Sequence, residues 1–332
     1  MTKPDPNLLS KESLKQHYDD RYAGDYMDAD AYSTWAHEGL ADYRVRQTLE
    51  QVGNHPRRIL DYGCGQGKWT PLLRDMFPDA EIVGIDISEV AIAKASQKFP
   101  QHQFLVFDGD RASLEDNGFD LVFSFHVLEH VIDVVASIKD IARLLRPGGH
   151  ACIIFPCGNK NSFEDRLINL MQDGRRLSAT GESVFFFEVA DGHMRRMPSE
   201  KTIALFKQQG LMIQAEFYSG HLFAAFDWLV RGTGPAYINQ FFGSCKPINS
   251  FAAIRLAAMR RLLLSLNRFM RYKDLDLVKR RQTLKQAAVL VTQKIAALVD
   301  RSIVKLARWE WDHRRHEKNG SAQYLVFRKA AP

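Results

Sequence analysis

Three glycines at alternate positions form the motif that could do chemistry in this 332-residue chain. Residues 59–69 read ILDYGCGQGKW, so Gly63, Gly65 and Gly67 follow an apolar run and precede a helical pattern. Glycines between a strand and a helix let the backbone approach a ligand closely, and the start of a helix directs free N–H groups at that ligand. The motif therefore predicts a small-molecule site where the first strand ends.

Two acids accompany the glycines. Asp61 stands two residues before the first of them, and Asp86 ends a second apolar strand whose sequence, residues 82–87, is IVGIDI. An acid after the second strand can bind both hydroxyls of a ribose. The dinucleotide fingerprint is G-x-G-x-x-G, whereas this loop is G-x-G-x-G, and the difference argues against an NAD oxidoreductase.

This D-x-G-x-G-x-G spacing, followed by Asp86, resembles motif I and the next acid of the class I S-adenosylmethionine (SAM) methyltransferases. The resemblance implies that the three glycines hold the amino-acid tail of SAM, that Asp61 anchors its amine through the loop or a water, and that Asp86 binds the ribose. It also implies contacts from the ends of later strands: Ile87 beside the adenine, Asp108 and Gly109 at its polar edge, and Phe125 beneath the methionine portion.

A second motif is HVLEH at residues 126–130, a form common in methyltransferases of small molecules, lipids and glycans. We expect a helix over 127–145, which would bring His126, Glu129 and His130 to one face. Relatives with E-x-x-E-H hold a divalent metal there together with a later histidine, for which His193 is the candidate. Three imidazoles and one carboxylate suit zinc or iron better than magnesium. A metal is not expected, since Glu129 and His130 can instead fix the helix start.

His193, in the stretch DGHMRR, also has a metal-free interpretation. Similar stretches occur near the acceptor in methyltransferases of glycan clusters, and a neutral imidazole can take a hydroxyl proton near neutral pH. His126 and His193 are therefore the candidate catalytic residues. The alternative is that His193 is an ordinary histidine of a surface loop.

Strands alternate with helices from residue 57 onward, which predicts an α/β fold with a doubly wound sheet. The resemblance implies seven strands, the last of them antiparallel between strands five and six. Three units are predicted: an N-terminal helical cap at 1–56, a methyltransferase domain at 57–220 plus 321–332, and a helical insertion at 221–320 between strands six and seven. The cap either covers the cofactor, as the resemblance implies, or packs on the sheet edge.

The insertion is strongly basic. Residues 221–320 carry 19 Lys and Arg against 7 Asp and Glu, a net of +12, whereas the remainder has a net of −6. Two helical runs each place apolar residues on one face, which is expected to pack in a helical hairpin or on the core. Those residues are Phe251, Ile254, Ala258, Leu262, Leu266 and Phe269, and then Leu284, Ala288, Val291, Ile295, Leu298, Ser302 and Leu306. The cations, among them Arg261, Arg268, Lys279, Arg280 and Arg281, could contact an anionic membrane or RNA, although no RNA-binding module is apparent.

Composition limits the class of protein. The chain has no run of 18 apolar residues, no apolar N-terminal leader and no C-x-x-C pair among its four cysteines. We expect a reduced, cytoplasmic protein, with peripheral contact at the inner membrane surface left open. The predicted function is SAM-dependent methyl transfer to an oxygen of a small molecule, glycan or lipid. The alternatives are an RNA methyltransferase and a non-catalytic SAM-binding or membrane scaffold protein, and a homodimer is left open.

Overall fold

The computed structural model describes residues 10–24, 40–53, 55–109, 111–274 and 283–331, without the side chains of residues 274 and 283–288. The helices of the N-terminal two thirds are α1 (Lys11–Ala23), α2 (Leu40–Leu49), α3 (Thr70–Met76), α4 (Glu89–Lys98), α5 (Val134–Leu144), α6 (Phe163–Ile168) and α7 (Ser199–Gln208). Those of the remaining third are α8 (Phe223–Asp227), α9 (Pro235–Gly243), α10 (Ser250–Met270) and α11 (Thr283–Arg314).

A mixed sheet forms the centre of the fold. Its strands are β1 (Arg58–Tyr62), β2 (Glu81–Asp86), β3 (Gln103–Val106), β4 (Phe119–Phe125), β5 (Leu145–Pro156), β8 (Leu211–Ser219) and β9 (Ala322–Lys329). Across the described residues their order is β3-β2-β1-β4-β5-β9-β8, and only β9 runs antiparallel to the other strands. The predicted α/β fold, with a helical insertion between the sixth and seventh strands of this sheet, is confirmed.

Apolar layers cover both faces of the sheet. On one face, Ile138 and Ile141 of α5 and Phe206 of α7 pack against the strands in a single cluster. On the other face, helices α2 and α3 and residue Trp311 of α11 form a second cluster with the strands. Because β1 to β5 run parallel to one another, their carboxyl ends lie at the same edge of the sheet. Ligands bind at this edge in such sheets.

The region between β4 and α5 differs from the prediction. The expected helix over 127–145 begins only at Val134, because Asp133 accepts hydrogen bonds from the N–H groups of Val135 and Ala136, both at 2.9 Å, and so caps the helix there. His126 has a left-handed φ of 57°, which turns the chain out of the strand. The HVLEH motif therefore lies in a turn, and its side chains do not share a helix face.

Two short strands lie outside the main sheet: β6 (Arg175–Leu177) and β7 (Ser183–Phe185) pair in a separate hairpin. At the start of α7, the N–H of Ser199 donates to Asn159 Oδ1 at 2.9 Å. Of the residues that the sequence singled out in the insertion, Lys279, Arg280 and Arg281, and the side chains of Leu284 and Ala288, lie outside the described residues.

The long helices of the insertion do not bury the faces that the sequence indicated. Leu256, Leu263 and Met270 are the buried apolar residues of α10, and Ile303 is buried in α11 beside Leu263 and Met270. Most of the predicted stripes instead face solvent: Phe251, Ile254 and Leu262 of α10 are between 49% and 68% exposed, whereas Leu266 is partly buried against the cluster of Leu263. On α11, Val291, Ile295, Leu298 and Leu306 are between 43% and 58% exposed. Each helix carries two apolar faces, and the one with smaller or more widely spaced residues is buried.

Among the described residues, no helix combines the length and the apolar character needed to cross a bilayer.

Candidate active site

The glycine loop follows β1 and has the backbone that its composition indicated. Gly63, Gly65 and Gly67 all have positive φ, at 78°, 52° and 74°. A Cβ on Gly63 would lie 2.2 Å from Val127 Cγ2, so a larger residue there would displace the HVLEH turn. The Gly63 N–H donates to the carbonyl of Ile85 at 2.8 Å, which ties the loop to β2. The loop and the HVLEH turn are therefore in direct contact.

Asp86 holds the glycine loop through hydrogen bonds. Its carboxylate accepts from the N–H of Gly65 at 2.8 Å and from the N–H of Ser88 at 3.0 Å. Burial raises its pKa, whereas these backbone bonds lower it. A carboxylate has about four acceptor positions, so Asp86 retains capacity for a ligand hydroxyl.

Asp61 is buried without a partner. It is 1% exposed, and neither carboxylate oxygen accepts a hydrogen bond from the described residues. Burial and the nearby charge of Asp86 raise its pKa to about 8. Buried acceptors are normally satisfied, so these two oxygens are available to a bound donor.

The remaining predicted cofactor contacts lie at the ends of the neighbouring strands. Ile87 is partly buried beside the cluster of Leu14 and Met194. Asp108 is exposed, and a Cβ on Gly109, which has φ 89°, would lie 3.6 Å from Ile87 Cδ1. Phe125 is half-buried against Trp69 and His126, with ring centroids 4.5 Å from each. The fold brings these residues to the same edge as the glycine loop.

Helix α1 lies across this edge. Asp19 accepts from the hydroxyl of Ser88 at 2.6 Å, and Arg21 donates to the carbonyl and carboxylate oxygens of Asp191, each at 3.0 Å. Tyr22 extends to the glycine loop, where its hydroxyl would be 2.6 Å from a Cβ on Gly65. The helix thus joins the β2 end to the loop that carries His193. Its predicted role as a cover for the cofactor stays a prediction.

Four side chains of the HVLEH turn and the His193 loop meet beside the glycine loop. His126 Nδ1 is 3.0 Å from Glu129 Oε1, and His130 Nε2 is 3.8 Å from the same oxygen. The rings of His130 and His193 meet edge to face, 4.6 Å apart. Neither oxygen of Glu129, which is fully buried, accepts a hydrogen bond of good geometry from the described residues.

Burial sets the protonation of this cluster. It lowers the pKa of His130 to about 3, and it lowers the pKa of His193 to well below the ordinary value. Burial would raise the pKa of Glu129, but the neighbouring His126 and His130 outweigh it, and the net pKa is lowered. At neutral pH the site therefore contains a carboxylate beside two neutral imidazoles.

Two adjacent arginines, Arg195 and Arg196, hold the loop of His193 in place through hydrogen bonds and ion pairs within the protein. Arg195 is buried and donates to the carbonyls of Leu128 (3.0 Å) and Ile132 (2.8 Å) in the turn after β4. The N–H of Met194 donates to the carbonyl of Glu129 at 2.7 Å. These bonds fix the His193 loop against the HVLEH turn, which explains how residues more than sixty positions apart come together.

Arg196 holds the other side of the loop. It pairs with Glu188 and, at 2.6 Å, with Glu164, while Glu188 lies 3.6 Å from His193 Nδ1. Burial raises the pKa of Glu188 to about 7 despite this arginine. The sequence alone indicates no role for Arg195, Arg196 or Glu188. The methionines on either side of the two arginines were the available signal, because they place the arginines in a buried stretch.

Three of the four predicted metal ligands have suitable geometry. One ligand atom each from Glu129, His130 and His193 lies within 4.8 Å of the others, whereas His126 is not part of that group. Two imidazoles and a carboxylate form a donor set that zinc and iron accept. The residues can thus hold a metal, and the prediction that none is bound stays a prediction.

Comparison with known proteins gives matches to methyltransferases. Residues 60–153 match the family described as "Methyltransferase domain". A trans-aconitate 2-methyltransferase of Variovorax paradoxus (strain S110) is 34% identical over 119 residues, which are 35% of this chain and 46% of that protein. A malonyl-[acyl-carrier protein] O-methyltransferase of Paenibacillus sp. (strain JDR-2) is 30% identical over 164 residues, 46% of this chain and 57% of that protein.

A solved structure of a geranyl diphosphate methyltransferase, in complex with GPP and sinefungin, covers 88% of this chain and 78% of its own, with 12% identity and a TM-score of 0.47. The matches to curated relatives such as the trans-aconitate enzyme span about half of their length.

Proposed function

Because the chain belongs to the class I SAM-dependent methyltransferases, we propose that it transfers a methyl group to a hydroxyl oxygen of a small molecule, glycan or lipid. The observation that carries this proposal is the Glu129 carboxylate, which is buried, ionised and without a good hydrogen bond beside the glycine loop. A hydroxyl acceptor must lose a proton, and this cluster contains groups that can accept one.

The cofactor suits the residues that would hold it. The two Asp61 oxygens lack a donor among the described residues, and the amine of the SAM tail is a donor of matching charge. The positive φ values of the three loop glycines leave backbone room for that tail. When bound, SAM supplies an electrophilic methyl group, and the acceptor oxygen bonds to its carbon as the bond from carbon to sulfur breaks.

In this proposal His193 receives the proton of the acceptor. Burial lowers its pKa and keeps it neutral with a lone pair available, but the same burial makes it a weak base, so the proton transfer depends on a nearby negative charge. Glu129 offsets the positive charge that His193 gains, because the ligand atoms of the two residues lie within 4.8 Å. His126, which is 40% exposed, is the second candidate and would meet an acceptor entering from solvent. Most of the rate would come from positioning of the two reactants.

The same charges argue against a carboxylate acceptor, although two relatives are named for trans-aconitate and malonyl-[acyl-carrier protein]. A carboxylate needs a cation and has no proton to give up at neutral pH. The nearby Arg195 and Arg196 are held by Glu182, Glu188 and backbone carbonyls. An acidic acceptor would also meet the negative charge of Glu129.

Formation of S-adenosylhomocysteine from SAM with panels of hydroxyl-bearing and carboxyl-bearing acceptors tests the proposal. We expect turnover with a hydroxyl acceptor, lost in His193→Ala and kept in His313→Ala, a change at an exposed histidine of α11. Turnover confined to carboxylates would refute the proton-acceptor role. Tight SAM binding without turnover of any acceptor would favour the non-catalytic alternative, and turnover of RNA alone would favour the RNA alternative.

Metal analysis of the purified protein tests the remaining role of the cluster. Stoichiometric zinc or iron that is lost in both Glu129→Gln and His193→Ala would assign these residues to a metal site. Protein that is active and free of metal would leave His193 as the proton acceptor.

A further inference from the structure

The solvent-facing apolar residues of the insertion form two regular stripes. We call them the outer stripes: Phe251, Ile254 and Leu262 on α10, and Val291, Ile295, Leu298 and Leu306 on α11. Their spacings of three, four and eight residues keep each set on one side of its helix. Single exposed apolar residues are ordinary, but two continuous stripes on long helices mark an interaction surface.

Exposed cations flank the outer stripes. Each helix carries Arg or Lys side chains that are exposed and lie beside its stripe: Arg255, Arg261 and Arg268 on α10, and Lys294, Arg301, Lys305 and Arg308 on α11. Helix α10 contains no acidic residue. This arrangement of apolar residues beside cations is the one that binds at the interface of an anionic bilayer.

The acidic residues of α11 do not neutralise this face. Asp300 pairs with Arg231 at 2.8 Å and with Lys273 at 3.3 Å. Glu310 is buried, and its carboxylate accepts hydrogen bonds from the N–H groups at the start of α8. The third acid of α11, Asp312, accepts from the hydroxyl of Tyr43 at 2.7 Å. All three carboxylates thus have partners in the protein, and the cations beside the outer stripes keep their charge for a partner.

We propose that the outer stripes and their flanking cations dock the protein on an anionic lipid surface. A second copy fits less well, because a symmetric contact would bring two surfaces of net positive charge together. RNA fits less well because its phosphates would use the cations and leave the aliphatic stripes in water. The docking is peripheral and does not span the bilayer. It does not require methyl transfer, so the docking and the proposed activity can be tested independently.

Co-sedimentation of the full chain with vesicles tests the docking. The vesicles are either phosphatidylcholine alone or three parts phosphatidylcholine to one part phosphatidylglycerol. We expect binding to the anionic vesicles at low salt, little binding to the neutral ones, and a strong loss between about 0.05 M and 0.5 M salt as charges become screened. Failure to bind anionic vesicles at low salt would overturn the proposal.

Variants distinguish binding through the outer stripes from nonspecific binding by any exposed apolar residue. Phe251→Ser with Ile254→Ser, at positions 67% and 68% exposed, should weaken vesicle binding at least about tenfold without unfolding the protein. Arg261→Gln with Arg268→Gln should weaken it about fivefold per residue. The matched control is Leu177→Ser with Met212→Ser, which removes apolar residues 64% and 49% exposed elsewhere.

Vesicle binding that the control weakens as much as the stripe variants would overturn the proposal. A dimer in solution that Phe251→Ser with Ile254→Ser dissociates, together with absent vesicle binding, would assign the face to a second copy. Tight RNA binding with no vesicle binding would assign it to RNA.

Discussion

Replacement of Asp61 by asparagine should stabilise the protein without its cofactor and weaken binding of SAM. The side chain is 1% exposed, and both carboxylate oxygens lack partners among the described residues. A charge in that position loses hydration and gains no compensating bond. Asparagine occupies the same volume, cannot ionise, and leaves the cost of one unpaired polar group much as it was.

The magnitude follows from the pKa of Asp61, which burial raises from 3.8 to about 8. Between these values the folded protein keeps a proton that the unfolded chain has released, so the free energy of unfolding falls as pH rises through this window. Each pH unit costs about 1.4 kcal/mol, which gives an upper figure of about 6 kcal/mol over the whole window. Asp61→Asn removes this loss, so its advantage in stability should be small near pH 4 and largest near pH 8.

Thermal and denaturant unfolding of the cofactor-free protein from pH 4 to pH 8 would measure this difference. The matched control is Asp120→Asn, at a buried acid that accepts from the N–H groups of Arg57 (2.6 Å) and Arg58 (2.8 Å). That variant loses charge-assisted bonds and should be less stable than the wild type at neutral pH. If the free energy of unfolding of Asp61→Asn changes with pH in parallel with that of the wild type, Asp61 is not an unpaired carboxyl group with a raised pKa.

Binding of SAM should show the opposite dependence. If the amine of the cofactor pairs with ionised Asp61, binding releases the proton, and affinity should increase from pH 5 to pH 7 by up to about tenfold per unit. Calorimetry in buffers of different ionisation enthalpy measures the released proton directly. In Asp61→Asn the affinity should be lower and independent of pH in this range. Wild-type affinity without pH dependence or proton release would remove Asp61 from the binding site.

Three further changes test the rest of the site. Asp86→Ala should weaken SAM binding at least about tenfold and lower the melting temperature, because the glycine loop and the ribose lose a charged acceptor. An unchanged SAM affinity in calorimetry would exclude a role for Asp86 in binding the ribose. His193→Ala should reduce kcat at saturating SAM while SAM affinity stays within about twofold, and the reverse pattern in kinetics and calorimetry would place the residue on the cofactor side. Gly63→Ala should cost more stability in thermal unfolding than Gly181→Ala, because both have positive φ but only the former places its Cβ against Val127, at 2.2 Å; equal losses would contradict the close packing of that loop.

The parts of this fold that could be predicted depend on short-range patterns. Apolar runs that end in Asp61 and Asp86 reproduce β1 and β2 to within a residue, and the alternating glycines have the positive φ that their type permits. Neighbouring residues determine these features, so one sequence is enough to find them. The functional assignment of the individual residues stays a prediction.

The errors arose where distant contacts decide the local structure. An apolar, histidine-rich stretch after β4 was expected to be helical, but Arg195 satisfies the carbonyls of Leu128 and Ile132 from sixty residues away and stabilises a turn. Likewise, hydrophobic periodicity identified the outer stripes as the packed faces of α10 and α11. Periodicity locates an apolar face but does not say which of two such faces meets the core, because that depends on the elements that pack against it.

The division between local and distant contacts also bears on the acceptor. The family match ends at residue 153, so it includes Asp61, Asp86 and Glu129 but neither His193 nor helix α1. Tyr18 of α1 contacts the ring of His130, and the N–H of Met194 donates to the Glu129 carbonyl, so segments outside that match complete the cluster around Glu129. The acceptors of the relatives therefore do not transfer with the cofactor-binding motifs. The proposed hydroxyl acceptor rests on the buried charge of Glu129 and on its histidine neighbours. Variants in residues 157–197 should therefore change the preference for the acceptor without changing the affinity for SAM.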